Sequence, residues 1–312
     1  MRQKLAAYVL VILIFIFTPF VITMLMTGVI EGDISDSLVE CRRVNVNYKS
    51  GSQAMDISKY MIGVLAARWD ESQEIEVLKA ESVMVRTDIY RIMGDRMTID
   101  SNDLGMDYLT VKEMKAKWGD SYESNYNLIV DCISATSGRL IVYNGNLIDA
   151  KYTYVSAGKT RNGSQINETD YTYFVSVTCE DDITSDNYLK VETFTNENFL
   201  KPFTSTYGNM NASVTNIMES IQIVSRDSSE YVVKIQVGNV VMTGEKFAEL
   251  LGINSSCFYI EQAGVDSVKI TTKGRGNGYG VSIYSANCMA KNGNLYEEIL
   301  RHFYSGISFM SE

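Results

Sequence analysis

The apolar positions of this chain change period several times, and each change marks an element. Residues 6–30 carry no charged side chain, and residues 8–26 are apolar except for Thr18, Pro19 and Thr23. A run of that length crosses a bilayer as one helix. Arg2 and Lys4 precede it, while Glu31, Asp33 and Asp36 follow, a bias that puts the N-terminus in the cytoplasm and the rest outside. A cleaved signal peptide is the rival reading. The run is too long for one, and no small-x-small cleavage site follows it. The expectation is a cytoplasmic tip and single N-terminal transmembrane helix over residues 1–30. It places the chain in the cell membrane, single-pass, with its bulk extracytoplasmic.

Residues 31–55 are polar and mixed, with Val44, Val46 and Tyr48 alternating as in a short strand; they read as a stalk or an edge element. Over residues 57–93 the period becomes helical. Ile57, Tyr60, Met61, Val64 and Leu65 mark a first helix, and Val77, Leu78, Val83 and Met84 a second, with the polar run 70–73 as the turn between them. Arg68 falls at the end of the first helix, facing that turn. Residues 95–126 read as a surface insertion with a helix over 111–118. A helix over 129–136 stops at Gly138, and residues 140–150 form a hairpin turning at Asn144 and Gly145. Strand-like alternation recurs over 171–178, 231–241, 257–260 and 265–272, with helices over 244–251 and at the C-terminus. Mixed short strands with scattered helices behind the anchor give an α+β class, with one extracytoplasmic domain over residues 56–308.

Charge narrows the partners. A formal net charge of -10 over 312 residues disfavours nucleic acid and anionic wall polymers held by charge alone, because such binding needs Lys and Arg to replace counterions. A neutral sugar polymer remains allowed. The five cysteines, Cys41, Cys132, Cys179, Cys257 and Cys288, are far apart and odd in number, which fits neither a disulfide framework nor zinc spacing. They read as buried thiols, and no metal and no other cofactor is expected. His302 is the one histidine, so Ser/His or Cys/His catalysis would have to run through it. Its place on a C-terminal helix favours packing.

Two blocks carry a more specific signal. The first runs Tyr60, Gly63 Val64 Leu65 Ala66 Ala67 Arg68 Trp69, Leu78 Lys79 Ala80, Arg86 Thr87. The last runs from Gly274 through Gly276 Asn277 Gly278 Tyr279 Gly280 Val281 Ser282 Ile283 Tyr284 to Ala290. Its glycines suit a tight loop beside a ligand, and their spacing is not that of a dinucleotide site. The first block resembles the stage II sporulation protein D family, whose pattern reads Tyr, Gly-Val-Val-Ala-Ala-Glu-Met-Pro, Leu-Lys-Ala-Gln, Ala-Arg-Thr-Tyr. The last block is similar to that family's Gly-x-Gly-x-Gly-His-Gly-Val-Gly-Met-Ser-Gln-Tyr-Gly-Ala. In this register the family's Glu is Arg68, its His is Asn277 and its second Gln is Ile283.

The resemblance implies a setting in spore formation, where such proteins remodel septal peptidoglycan during engulfment. The partners it implies are peptidoglycan glycan strands, a wall amidase and a membrane scaffold protein. Family members with the Glu are peptidoglycan lytic transglycosylases, in which one carboxyl protonates the leaving oxygen and then serves as base. An arginine cannot exchange that proton. The expectation is a glycan-binding protein, catalytically impaired. An active enzyme with a displaced carboxylate, Asp70 or Glu71 foremost and Glu74 or Glu81 nearby, is the first alternative; an activator of a wall amidase is the second. The resemblance further implies glycan contacts from Lys79, Arg86, Tyr188, Lys190, Gly276, Asn277, Ser282 and Tyr284. Asn277 can still hold a sugar hydroxyl or amide, although it does not titrate.

Overall fold

A computed structural model describes residues 42–48, 51–166 and 170–311. The expected anchor, most of the expected stalk and Cys41 lie outside the described residues. Among the described residues no helix is long and apolar enough to cross a membrane.

The chain enters through a hairpin, β1 (Arg43–Tyr48) and β2 (Gly51–Asp56), with β3 (Thr98–Asp100) added parallel to β1. Val44 and Val46 point inward and are buried, so β1 packs against the domain. Next comes α1 (Ile57–Arg68), buried on nearly every side. Gly63 is required there, because a Cβ would overlap the Tyr108 ring. That ring stacks on Tyr60 at 5.3 Å, and Leu109 N–H donates to the Gly63 carbonyl at 3.0 Å.

The expected second helix is α2 (Ile75–Met93), the central rod of the first core. Packed on it are α3 (Ser101–Leu104), α5 (Tyr122–Ala135), the strand β4 (Arg139–Tyr143) with its hairpin mate β5 (Asn146–Leu147), and the C-terminal helices α8 (Ile283–Lys291) and α9 (Tyr296–Phe303). Between α3 and α5, α4 (Val111–Trp118) starts at a capping box in which Thr110 and Glu113 exchange bonds. β6 (Tyr152–Thr153) pairs in parallel with β13 (Val281–Ser282), and β14 (Ser308–Ser311) pairs antiparallel with β4.

Residues 189–273 have a core of their own. They hold β7 (Leu189–Thr195), α6 (Asn196–Tyr207), the meander β8 (Ile221–Arg226), β9 (Val232–Val237) and β10 (Val240–Thr243), α7 (Gly244–Leu251), β11 (Phe258–Gln262) and β12 (Ser267–Lys273). Phe199, Phe203, Phe247 and Phe258 pack ring to ring at its centre. The chain leaves and returns at one point, where Gly274 N–H donates to the Tyr188 carbonyl at 2.7 Å.

The described residues are α+β, as expected. Two readings need correction. Residues 171–173 form a turn, and the rest of 171–178 holds one isolated antiparallel bridge, Thr178 to Lys159, rather than a strand, because Tyr171, Tyr173 and Phe174 insert as a cluster between Tyr143, Tyr279 and Tyr304. Alternation over 171–174 reflects aromatic packing, and only the end of the segment pairs, with residues 158–160. Residues 231–241 break into β9 and β10 at Gly238, whose φ of 60° belongs to a hairpin turn.

Candidate functional site

A cleft of about 610 Å³ opens where the C-terminus of α1 meets the start of α8. Its walls come from Arg68 to Gln73, Lys117 and Trp118, Tyr154 and Val155, Ser185 and Asn187, Arg275, and Tyr284, Asn287 and Lys291. Each wall has a local cause. The last carbonyls of a helix lack intrahelical donors, and Lys117 Nζ supplies them, donating to Ala66 O at 2.8 Å and Trp69 O at 2.9 Å. Trp69 and Trp118 meet edge to face at 6.0 Å. Asn287 fastens the turn to α8: its Oδ1 accepts from Glu74 N–H at 2.6 Å and its Nδ2 donates to Ser72 O at 3.3 Å.

The floor is a ladder of alternating charge and ring. Arg68 lies over the Tyr152 ring at 4.8 Å, Tyr152 meets Tyr154 edge to face at 5.5 Å, and Arg275 lies over Tyr154 at 4.8 Å. The glycine-rich loop holds Arg275 there by backbone pairing, through bonds between Arg275 and residues 154 and 155. Gly280 (φ 70°) is needed beside it, because a Cβ would run into the Lys151 carbonyl. Beneath the loop the fully buried Asp182 accepts from Ser156 N–H at 2.7 Å, Ser282 Oγ at 2.8 Å and Ser285 Oγ at 2.8 Å. It ties the loop to the first turn of α8.

The protonation states of the nearby carboxyls separate their uses. Asp70 sits on the cleft wall and is held below the ordinary carboxylate range, first by the Ser72 hydroxyl and backbone N–H and, less, by the Lys117 charge. It is an acceptor at neutral pH, not a proton donor. Glu71 takes a bond from Asn125 Nδ2 at 3.0 Å. Glu81, on α2, is 2% exposed, and its Oε2 has no hydrogen-bond partner. Burial pushes its pKa up to about 7 against the opposing pull of Arg68. Burial likewise raises Tyr60, beside the same arginine, to about 12. Glu81 has the proton affinity of a general acid but does not line the cleft, and the carboxyls that line it are Asp70 and Glu71.

A family model described as stage II sporulation protein matches residues 48–143. The chain is 28% identical over 270 residues to stage II sporulation protein D of Bacillus subtilis (strain 168), a match covering 83% of this chain and 76% of that protein. With stage II sporulation protein D of Bacillus amyloliquefaciens the identity is 27% over 271 residues, with the same coverage. An uncharacterized protein of Brachyspira hyodysenteriae is 23% identical over 273 residues, 82% of this chain and 67% of its own. These matches support a divergent relative of the stage II sporulation protein D family.

Set on the pattern of the stage II sporulation protein D family, the site holds a paired change. Arg68 stands at the Glu of the first block, and Glu81 follows Leu78, Lys79 and Ala80 at the Gln of Leu-Lys-Ala-Gln. An acid and an amide have become a base and an acid, and the second is close enough to feel the charge of the first.

Of the residues singled out from sequence, Arg68, Asp70, Glu71 and Tyr284 line the cleft. Tyr284 O–H shares a hydrogen bond with Thr184 at 3.1 Å. The others are held elsewhere. Arg86 is fully buried and donates to Thr136 O at 2.6 Å and Ile133 O at 3.1 Å, bracing the end of α5; it is removed from the contact set. Ser282 is also fully buried, with its hydroxyl committed to Asp182, and is removed too. Lys79 pairs with Glu76 at 2.6 Å and Lys190 with Glu192 at 3.0 Å. Tyr188 is half-buried and Gly276 donates to Asn254 O at 3.0 Å. Asn277 is exposed, but its Oδ1 accepts from Tyr279 N–H at 2.8 Å, an internal turn bond. None of these five lines the cleft. Missed were Trp118, Lys117, Asn287, Lys291 and Arg275. Arg275 had a signal, as the one charged residue inside the glycine-rich run; the rest reach the cleft through packing that no local pattern encodes.

Proposed function

We propose that this chain is a membrane-anchored protein of sporulation that grips peptidoglycan glycan strands in the Arg68 cleft and is impaired in cleaving them. Similarity to the stage II sporulation protein D family supports the sporulation-related wall role. The anchor rests on the uncharged run of residues 6–30. Binding draws support from a cleft that combines Trp and Tyr faces with amide and hydroxyl donors, the usual complement for sugars. Impairment rests on one observation: the side chain at the family's acid position is a guanidinium, and the carboxyl beside it on the wall, Asp70, is held ionised. A wall amidase and a membrane scaffold are the protein partners this setting suggests.

The decisive experiment treats purified glycan strands with the full chain and with the Arg68→Glu/Glu81→Gln double variant, which restores the family's acid and amide together. New 1,6-anhydro-muramyl ends are counted by mass spectrometry. Loss of a general acid costs about 10²- to 10⁴-fold in rate. The double variant should regain a gain of that order while the parent binds strands and leaves their ends unchanged. Abundant anhydro ends from the parent would remove the proposal. A second reading, an enzyme working through Glu81, is favoured by that carboxyl's pKa of about 7. It requires that Glu81→Gln alone abolish such ends.

A further inference from the structure

We propose that the free edge of β7 is a docking surface for a second copy of this chain, joined strand to strand about a two-fold axis at Val191. That edge is no part of the Arg68 cleft, and the pairing stands whatever the cleft holds.

β7 ends its sheet, whose strands run in the order β11, β12, β7. Along an antiparallel strand, successive residues turn their backbone N–H and C=O groups to alternate sides. Gly274 N–H donates to Tyr188 O at 2.7 Å and Asn196 N–H donates to Asp266 O at 2.9 Å, so the even-numbered residues of the strand bond β12. Leu189, Val191 and Thr193 therefore turn their backbone groups outward, where they have no partner among the described residues. Natural edges are usually blunted by proline, by charge or by a covering element. This strand has no proline, and its side chains Leu189 and Val191 are each 54% exposed. Its one cation, Lys190, is matched by Glu192 at 3.0 Å, so the edge carries no net charge to repel a neighbour.

A two-fold contact needs a patch that fits itself, and the order of side chains along β7 does. An antiparallel pairing centred on one residue sets the residue before it against the partner's residue after it. Centred on Val191, the outward backbone groups of Leu189, Val191 and Thr193 meet those of the partner's Thr193, Val191 and Leu189 and can exchange hydrogen bonds. Lys190 then stands opposite the partner's Glu192 on both sides of the axis. Those are the closely spaced positions of the ladder, with Cα atoms about 4.5 Å apart, where opposite charges favour pairing and like charges oppose it. A slip of two residues in either direction sets Lys190 against Lys190 or Glu192 against Glu192. Charge therefore selects the register as well as the occupant.

The test combines sedimentation of the full chain in detergent micelles, over the micromolar range, with cysteine cross-linking. The parent should show an equilibrium of monomer and dimer. Lys190→Glu and Glu192→Lys should each weaken the dimer roughly tenfold, with thermal midpoints near the parent's because the pair they break within the chain is exposed. Mixing the two variants should restore a dimer, since each then meets the opposite charge across the axis while the pair within each chain stays broken. Val191→Cys places its thiol on the axis, with Cα about 5.5 Å from its mate, a separation a disulfide spans. Mild oxidation should link that variant as a dimer, whereas Leu189→Cys, opposite the partner's Thr193, should link no more than the parent. A parent that stays monomeric, a dimer that neither charge reversal weakens, or a Val191→Cys chain that links no better than Leu189→Cys would each overturn the proposal.

Discussion

At the residue scale the informative pair is Arg68 and Glu81. A carboxyl buried without a partner is stabilised in its neutral form, and Glu81 accordingly titrates near about 7 instead of its ordinary 4.5. Because the folded pKa is the higher one, the stability linked to this group is full below about 4.5 and is lost as pH rises through about 7. The size follows from the shift, about 3 kcal/mol at the alkaline end. Glu81→Gln, which stays neutral, should therefore match the parent near pH 4 and exceed it by about that amount near pH 8, measured as urea midpoints. A parent whose stability is flat across that window would show that Arg68 or water holds the charge after all.

At the scale of elements, the end of α1 shapes the cleft. Twelve residues of largely apolar sequence make this helix, but its C-terminal carbonyls face the turn and are satisfied by Lys117, a residue 48 to 51 positions away. Burial lowers the Lys117 pKa, with Asp70 and Glu71 pulling the other way. Lys117→Met keeps the apolar stem and removes the donors. Charged hydrogen bonds are worth about 1.5–3 kcal/mol, so the variant should lose about that much in denaturant unfolding and weaken glycan binding by freeing the turn. An unchanged midpoint would mean that solvent caps the helix equally well. The helix itself was legible from its period; its cap was not, because Lys117 lies on the separate helix α4 and only folding brings it near.

For the whole molecule, the joint between the two cores is a buried ionic cluster. Arg161 lies between the rings of Tyr231 (5.0 Å) and Tyr279 (4.4 Å), pairs with Asp227 at 2.6 Å and also with Glu245. Its backbone N–H donates to Gly278 O at 2.8 Å. It thereby joins the loop after β6, the glycine-rich loop and the unit over residues 189–273. Removing one member of a buried pair strands the other and costs about 3–5 kcal/mol. Arg161→Met should fall in that range by thermal unfolding, with part recovered by adding Asp227→Asn. A cost under about 1 kcal/mol would mean that water reaches Asp227 and the joint is open.

What the sequence determined by itself is what short range decides. Helical period located α1, α2, α4 and α7, the Asn144 and Gly145 pair located a hairpin, and the replacement at Arg68 is plain in the chain because a motif is a string of neighbours. What only the tertiary structure decided is which polar groups share a space. Arg86 and Ser282 belong to the same matching blocks as Arg68 and Tyr284, yet packing turns the first pair inward and leaves the second in the cleft. Glu81 acquires its altered proton affinity from burial, and Arg68 and Arg275, some two hundred residues apart, become one floor because Tyr152 and Tyr154 lie between them. Desolvation and charge act through distance in space, which the order of residues along the chain does not contain.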